Sequence, residues 1–299
     1  EIEQNRKILA ESFLFEKKLT EPNVNLMLSR RNLEAKVAII LTTFEQGPNK
    51  DTTSAYNRIN EAMEKLKDGA DFNVIAAEYC DDKDLGKNGG VIEQWITSGK
   101  VQREIENAIY ETDAGKIYPK VISTPYAYFI VKVLNKEPRK MVLGGHILVR
   151  TQDLTDTLNY EKKIDSIQTL LKNGASFEKL AKELSDDKLT AEKNGSFDEY
   201  YSRSTGFEKN NSMLHPTFES ALFALKDGEI SGIIKTNIGY HIIKRYATKN
   251  PNPDNEKDGL RTLYRKQYYE VDKTAFLDSV FSVMKLSINE RNLDNLIAY

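Results

Sequence analysis

A stretch of 17 residues occurs twice in this chain, and this duplication constrains the fold more than any other feature of the sequence. The segments "LKDGADFNVIAAEYCDD" (66–82) and "LKNGASFEKLAKELSDD" (171–187) are identical at about half of their positions without a gap. Self-similarity at a fixed spacing indicates a duplicated structural unit. A length of 299 residues accommodates two domains of about 100 residues with additional helices.

Both copies show the same order of predicted elements. Each begins with a β-branched run, at 36–44 and at 143–151, followed by an amphipathic helix that ends at Gly69 or Gly174 and by a second short helix. A glycine-containing turn then leads into a second strand, "GGVIEQW" or "GSFDEYY", before a third helix and two closing strands. We therefore predict β-α-α-β-α-β-β, with room for one further helical turn. This order is typical of an α+β fold with a small, mainly antiparallel sheet and surrounding helices.

The duplication divides the chain into four predicted parts. Residues 1–34 are helical in pattern with a break near Pro22, the first repeat covers 35–137, and the second repeat covers 138–249. Residues 250–299 form a second helical segment, with apolar residues at helical spacing from Leu260 to about Met284. Neither helical segment is long enough to fold alone, so we expect them to pack on each other or on parts of the protein that this chain lacks.

Composition excludes several classes of protein. The 43 basic and 45 acidic residues nearly cancel, so the chain has no basic surface of the kind that nucleic acids require, and we expect no nucleic-acid partner. No apolar run approaches the roughly 20 residues of a transmembrane helix. The single cysteine, Cys80, excludes an intramolecular disulfide and a multi-cysteine metal site. Because the chain begins at Glu1 and within a helical pattern, we expect that an export signal has been removed.

All three histidines lie in the second repeat. His146 falls in its first predicted strand and His241 in its last, whereas the first repeat has Ile39 and Phe129 at the corresponding positions. A lone histidine in a strand is usually structural. Two histidines on neighbouring strands of one small sheet can instead hydrogen-bond to each other and form a polar site.

Four segments of the second repeat resemble, in the correct order, the parvulin-type peptidyl-prolyl cis-trans isomerases. They are "HILV" (146–149), "FEKLAKELSDD" (177–187), "FESALFALKDGEIS" (218–231) and "TNIGYHIIKR" (236–245). The first repeat resembles the same family more weakly. Two such domains in tandem, flanked by helices, are similar to the periplasmic foldases of the SurA and PrsA type. The resemblance implies a periplasmic or cell-envelope location and, as substrates, unfolded or extended polypeptides that contain X-Pro.

The resemblance also implies which residues form the catalytic network. His146 and His241 match the paired histidines of the family, Asp187 matches a position held by cysteine or aspartate, and Thr236 matches a threonine that hydrogen-bonds within the network. No cofactor and no metal ion is implied.

A second group of residues matches the family's proline pocket. Phe218 corresponds to its aromatic wall, and Leu214, or Met213 if the preceding loop is shifted by one residue, corresponds to its aliphatic partner. Ile238 occupies a position where many relatives have serine. His215 has no counterpart, and we expect it on the rim of the pocket or in solvent.

The first repeat is predicted to keep the fold without the site. It retains Asp82 and Thr124, but Ile105 replaces Phe218 and Val101 replaces Leu214. Together with Ile39 and Phe129, these apolar residues are expected to pack as an ordinary core. We therefore expect the first repeat to be inactive, with any peptide bound only on its surface.

Three interpretations follow. The first is a prolyl isomerase and folding chaperone that stabilises the twisted imide without covalent chemistry in the second repeat. The alternative is a non-catalytic holdase chaperone that binds apolar stretches of unfolded chains, which an exposed aromatic surface on the helices would favour. A metal site at the histidines is the weakest interpretation, because His146 and His241 have no evident third ligand other than Asp187.

Overall fold

The computed structural model describes residues 2–47, 51–151, 157–203 and 214–283. In chain order these residues form α1 (Ile2–Leu9), a π-helical stretch (Ala10–Thr20), α2 (Glu21–Arg30), β1 (Leu33–Thr43), α3 (Thr53–Lys67), α4 (Phe72–Tyr79), α5 (Lys83–Lys87), α6 (Arg103–Glu111), β2 (Ile122–Ser123), β3 (Ala127–Pro138), β4 (Met141–Arg150), α7 (Thr157–Lys172), α8 (Phe177–Leu184), α9 (Lys188–Ala191), α10 (Pro216–Ala224), β5 (Ile230–Thr236), β6 (Gly239–Lys249), a 3₁₀ turn (Pro253–Glu256), α11 (Lys257–Gln267) and α12 (Tyr269–Val283). The chain divides into two compact units, one comprising 1–29 with 254–299 and the other comprising 30–253.

The unit 30–253 contains both repeats, and each repeat has its own three-stranded antiparallel sheet. The strand order is β1-β3-β2 in the first sheet and β4-β6-β5 in the second. Four helices connect the first and second strands of each sheet, and α5 and α9 supply the further helical turn. The predicted α+β class, with two similar domains and helical ends, is confirmed.

The strand predicted directly after the short helices is wrong in both repeats. The segment 89–96, which begins with "GGVIEQW", pairs with β1 only as isolated bridges at Val91 and Ile96. The segment "GSFDEYY" pairs with β4 only as isolated bridges at Ser196 and Tyr201. The residues between the two bridges are bent in each copy, so the backbone hydrogen bonds do not continue as a ladder. A glycine turn followed by β-branched and aromatic residues therefore indicated a strand where the chain forms only two isolated bridges.

The two faces of the second sheet pack against different helices. Alternation of side chains along the strands places Ile147 and Val149 towards α7 and α8 and places Val142 and Ile243 towards α10. The two clusters contain Ile147, Val149, Ile164, Ile167, Phe177, Leu180, Ala181, Tyr240 and Ile242 on one face, and Val142, Phe218, Leu222, Phe223, Leu225 and Ile243 on the other. The face towards α10 is the one that carries the candidate site.

The ends of the elements differ slightly from the predicted boundaries. β1 begins at Leu33 and β3 ends at Pro138, so the sheet of the first repeat extends beyond 35–137 at both ends. Pro22 does not break the helical run from Ile2 to Arg30. The helix changes from π to α at Glu21, so this proline lies at a change of hydrogen-bonding pattern.

The unit formed by the chain ends has a small core of its own. Val24 and Met27 of α2 pack against Leu260 and Tyr264 of α11. The two helical segments therefore pack on each other, which was one of the two arrangements expected from the sequence. The second segment is divided at Tyr268 into α11 and α12. Within the described ranges, no helix is both long and apolar enough to cross a membrane.

Candidate active site

His146 and His241 lie on the same face of the second sheet and touch each other. His241 is paired with Leu148 across the two strands and His146 with Ile243, so the two histidines are diagonal neighbours. Their Nδ1 atoms are 3.1 Å apart, and their rings stack with centroids 5.2 Å apart. Both side chains are buried, with 8% of His146 and 2% of His241 exposed.

A hydrogen-bonded chain extends from both ends of this pair. Nε2 of His146 lies 2.8 Å from Oδ2 of Asp187, and Nε2 of His241 lies 2.8 Å from Oγ1 of Thr236. When each imidazole carries one proton, the chain has a single direction, because an ionised carboxylate only accepts. Thr236 then donates to His241, His241 donates through Nδ1 to His146, and His146 donates through Nε2 to Asp187.

The electrostatics of the site support this direction. The hydrogen bond from His146 holds the pKa of Asp187 well below its usual range, although partial burial opposes this shift, and a 2.8 Å bond from the Thr190 hydroxyl adds to it. Burial, followed by the neighbouring His146, lowers the pKa of His241 to about 3. At neutral pH the chain therefore joins an ionised aspartate to a neutral imidazole at His241.

Asp187 is positioned by the turn that precedes α9. Its carboxylate accepts the backbone N–H of Leu189 at 3.3 Å and so caps this short helix. The preceding residue, Asp186, donates its backbone N–H to the carbonyl oxygen of Leu148 at 2.8 Å, which fixes the turn against β4.

Aromatic rings surround the two imidazoles. The Phe218 ring lies edge-on to both, with centroids 5.6 Å from His146 and 5.2 Å from His241, and Phe218 is only 4% exposed. Phe197 contacts His146 at 5.5 Å and Phe218 at 6.0 Å. The sequence analysis did not select Phe197, although it lies in the segment "GSFDEYY", two residues after Gly195. The site is thus a polar pair enclosed by apolar rings.

The remaining predicted pocket residues have separate placements. Leu214 is half-buried and packs in the same cluster as Phe218. Ile238 is 41% exposed in the turn between β5 and β6, and its backbone N–H donates to Oγ1 of Thr236 at 3.3 Å. Met213 lies outside the described residues. Substrate binding by these three residues and by Phe218 stays a prediction.

His215 is exposed, and its ring has a local structural role. Its Nδ1 accepts the backbone N–H of Thr217 at 3.3 Å, so it caps the N-terminus of α10. This is an unusual cap, and no sequence pattern for a helix start singles it out.

The first repeat has an apolar cluster at the equivalent place. Ile39 and Phe129 are diagonal neighbours in its sheet, since Ile39 pairs with Val131 and Leu41 with Phe129. The backbone N–H of Ile39 donates to Gly90 at 2.8 Å, just as that of His146 donates to Gly195 at 2.8 Å. These matching bonds align the two copies residue by residue.

Ile39 and Phe129 pack with Ile105 and Val101 in one cluster. The first repeat therefore fills with hydrocarbon the space in which the second repeat holds imidazoles. Among the residues that the structure describes, no group of three or more His, Cys, Asp or Glu side chains is arranged to hold a metal ion.

Family models match both repeats. A model described as a PPIC-type PPIASE domain matches residues 146–247, and a second model with the same description matches residues 25–137. The two matches follow each other along the chain and together include most of both sheets.

Two curated relatives of the chain are both named chaperone SurA. The chain is 29% identical over 246 residues to the chaperone SurA of Methylobacillus flagellatus, with 80% of this chain and 53% of that protein covered. It is 26% identical over 224 residues to the chaperone SurA of Nitrosococcus oceani, with 73% and 50% covered. The chain thus spans about half the length of these curated relatives.

Among solved structures, the parvulin of Nitrosopumilus maritimus is 38% identical and covers 37% of this chain and 100% of its own, with a TM-score of 0.28. The two family matches, together with a second repeat that contains the paired histidines, identify the family. The chain belongs to the PPIC-type, or parvulin, family of peptidyl-prolyl cis-trans isomerases and carries two domains of that family in tandem.

Proposed function

We propose that the second repeat, 138–249, catalyses cis-trans isomerisation of X-Pro bonds in unfolded or extended polypeptides. The observation that carries this proposal is the buried chain Asp187–His146–His241–Thr236 with the ring of Phe218 against both imidazoles. His146, Asp187, His241 and Thr236 are the residues to which we assign the catalytic network.

The chemistry requires a fixed environment more than a reactive group. Rotation about the X-Pro bond is opposed by a barrier of about 20 kcal/mol, because resonance keeps the amide planar. No bond is made or broken, so a catalyst needs only to bind the twisted amide more tightly than the planar one. Polar groups that are already hydrogen-bonded to one another do this without reorganising as the bond rotates.

The apolar rings supply the other requirement. A proline ring has no charge and no N–H, so its recognition depends on apolar contact. Phe218 and Phe197 present ring edges and faces beside the imidazole pair, and Leu214 packs in the same cluster. A small ring held there would place its amide near the histidines.

A second candidate function is holdase activity of the helical unit. Ile2, Ile8, Leu9 and Phe13 of this unit are between 57% and 73% exposed. Apolar surface of this kind is typical of binding sites for other polypeptides. We propose that the unit holds unfolded segments while the second repeat isomerises their prolines, in the periplasm or cell envelope after removal of an export signal.

One pair of variants of the full chain separates the two functions. The change His146→Ile with His241→Phe introduces into the second repeat the residues that the first repeat already packs at the same places. We expect this double variant to fold, to lose acceleration of X-Pro isomerisation in a peptide assay, and to keep its suppression of client aggregation.

The matched control is Ile39→Leu with Phe129→Leu in the first repeat, which changes apolar residues at the equivalent positions. We expect this control to isomerise the peptide at the wild-type rate. A folded His146→Ile, His241→Phe variant with wild-type isomerase activity would contradict the proposed site.

A further inference from the structure

Arg203 belongs to the second repeat, but its charged partners belong to the first. Its Nε donates to Oε1 of Glu34 at 2.7 Å, and its Nη2 forms an ion pair with Glu137. The guanidinium also lies over the ring of Trp95, 3.5 Å from the ring centroid. Three separate elements of the first repeat, the start of β1, the end of β3 and the segment that carries Trp95, thus converge on one side chain.

This contact is buried and directional. The Glu34 side chain is fully buried and the side chain of Arg203 is 9% exposed. A planar guanidinium that binds two carboxylates and stacks on an indole ring allows few orientations, and a lysine at the same place would reproduce neither the fork nor the stacking. The desolvation of two charges offsets much of their attraction, so a buried ion pair is weak evidence for a gain in net stability.

Arg203 also contacts α10, the helix that carries Phe218 of the candidate site. Arg203 lies 5.1 Å from the ring of Phe223 on α10, and Phe223 shares a cluster with Phe218. Glu219, the residue after Phe218, lies within the electrostatic influence of Arg203 and Glu34. Burial raises the pKa of Glu219 to about 7, and Arg203 and Glu34 are among the charges that act on it. Helix α10 therefore has the imidazole pair on one side and the Arg203 contact on another.

We propose that Arg203 is a positioning residue for the isomerase site: through Arg203, the first repeat fixes α10 and so holds Phe218 against His146 and His241. This inference rests on the proposed function of the second repeat. It gives the first repeat a role that needs no site of its own, because a rigid support requires only a packed fold and a few buried contacts.

Trp95 makes the contact directly measurable, because it is the only tryptophan of the chain. In Arg203→Met, the indole ring loses its stacked cation, so we expect a shift in its fluorescence emission. We also expect kcat/KM for an X-Pro peptide to fall about 5- to 10-fold, which lies at the lower end of the usual range for coupling between sites. Arg203→Lys keeps the charge without the planar fork, and it should show both effects to a smaller degree.

Two further variants remove simpler explanations. Arg203→Met leaves Glu34 buried without its Arg203 contact, so we pair it with Glu34→Gln to remove that charge. If Arg203 positions α10, the double variant regains stability but keeps the reduced kcat/KM; full recovery of kcat/KM overturns the positioning role. Lys193→Met, which breaks the exposed ion pair with Asp198 in the same repeat, is the matched control and should change neither readout.

The two readouts separate this inference from the proposed function. Unchanged Trp95 emission in Arg203→Met would show that the contact is absent in solution and would overturn the inference. Altered emission with wild-type kcat/KM would confirm the contact and overturn its role in catalysis. A wild-type chain without isomerase activity would overturn the proposed function, and the positioning role with it. If Arg203→Met fails to fold, Arg203→Lys and the double variant with Glu34→Gln carry the same test.

Discussion

The Nδ1 atoms of His146 and His241 face each other at 3.1 Å, so the two rings share one proton on this line. Either nitrogen can donate, but both cannot, because two N–H groups pointing at each other would repel. The ionised Asp187 at the outer nitrogen of His146 determines which arrangement is favoured. The chain of bonds therefore has a defined direction, from Thr236 towards Asp187.

We expect His241 to remain neutral throughout the range in which an ordinary histidine titrates. Burial and His146 lower its pKa to about 3 in the folded protein, against an ordinary value of 6.5. The unfolded chain binds a proton below pH 6.5 whereas the folded one does not, so this residue makes the protein less stable as the pH falls from about 6.5 towards 3. ¹⁵N NMR of the His241 ring should show no titration between pH 5 and 8. A midpoint near 6.5 would contradict the buried network.

Asp187→Asn should reduce activity and should also lower the free energy of unfolding at neutral pH, because the folded protein stabilises the ionised carboxylate of Asp187. Asparagine caps a helix as well as aspartate does, so α9 should keep its cap, but the charge-assisted bond to His146 is lost. We expect kcat/KM to fall about 10-fold. This is less than the roughly 100-fold loss that is typical of a group in contact with the reacting atoms, because Asp187 acts through His146.

Asp82→Asn is the matched control for this change. Asp82 caps α5 of the first repeat by accepting the N–H of Leu85 at 3.0 Å, in the same way as Asp187 caps α9. Peptide assays and thermal unfolding of both variants check the prediction. An equal loss of activity in the two variants would show that the aspartates serve only their helices.

The duplication and the family motifs were sufficient to predict two α+β domains and to select His146, His241 and Asp187. These features are readable because strand periodicity and residue type at fixed spacing survive in the sequence. The prediction of a strand in "GSFDEYY" was wrong, because the same local residue pattern also occurs in a segment that forms only two isolated bridges. The contact of Arg203 with Glu34 could not be predicted from the sequence, because the two residues are 169 positions apart and no local pattern relates them.

Phe218→Leu should lower both stability and activity, because the ring belongs to the core as well as to the site. It is 4% exposed and packs with Leu222 and Ile243, so loss of the ring should reduce the free energy of unfolding by about 1–2 kcal/mol. Alanine would remove far more volume and cost about 3–5 kcal/mol, which would obscure any effect on catalysis.

The corresponding residue of the first repeat provides a control for Phe218→Leu. Ile105→Val should reduce the free energy of unfolding by about 1 kcal/mol, because it too removes buried hydrocarbon. It should leave kcat/KM unchanged, since no imidazole lies beside it. Urea denaturation and peptide assays of both variants give the comparison, and a fall in activity for Ile105→Val of the same size would contradict the assignment of Phe218 to the site.

Glu219→Gln should stabilise the protein at pH 8 and have little effect at pH 5. Burial raises the pKa of Glu219 to about 7 from an ordinary 4.5; Glu34 acts in the same sense, and Arg203 and Lys36 oppose it. The folded protein therefore binds this proton more tightly than the unfolded chain. Its stability falls as the pH rises from about 4.5 to about 7 and is then constant. Glutamine resembles the protonated acid and removes this loss.

Because Glu219 is only partly buried, water screens its charge, and we expect a gain of about 1–2 kcal/mol in the free energy of unfolding at pH 8. Chemical denaturation of wild type and variant at both pH values measures it. Glu199→Gln, the same change on an exposed residue, should stay within about 0.5 kcal/mol of wild type at either pH. An equal effect of Glu219→Gln at pH 5 and pH 8 would mean that the carboxyl group is already ionised in the folded protein at pH 5. In that case the charges of Arg203 and Lys36, which lower the pKa of Glu219, would outweigh its burial and the charge of Glu34, which raise it.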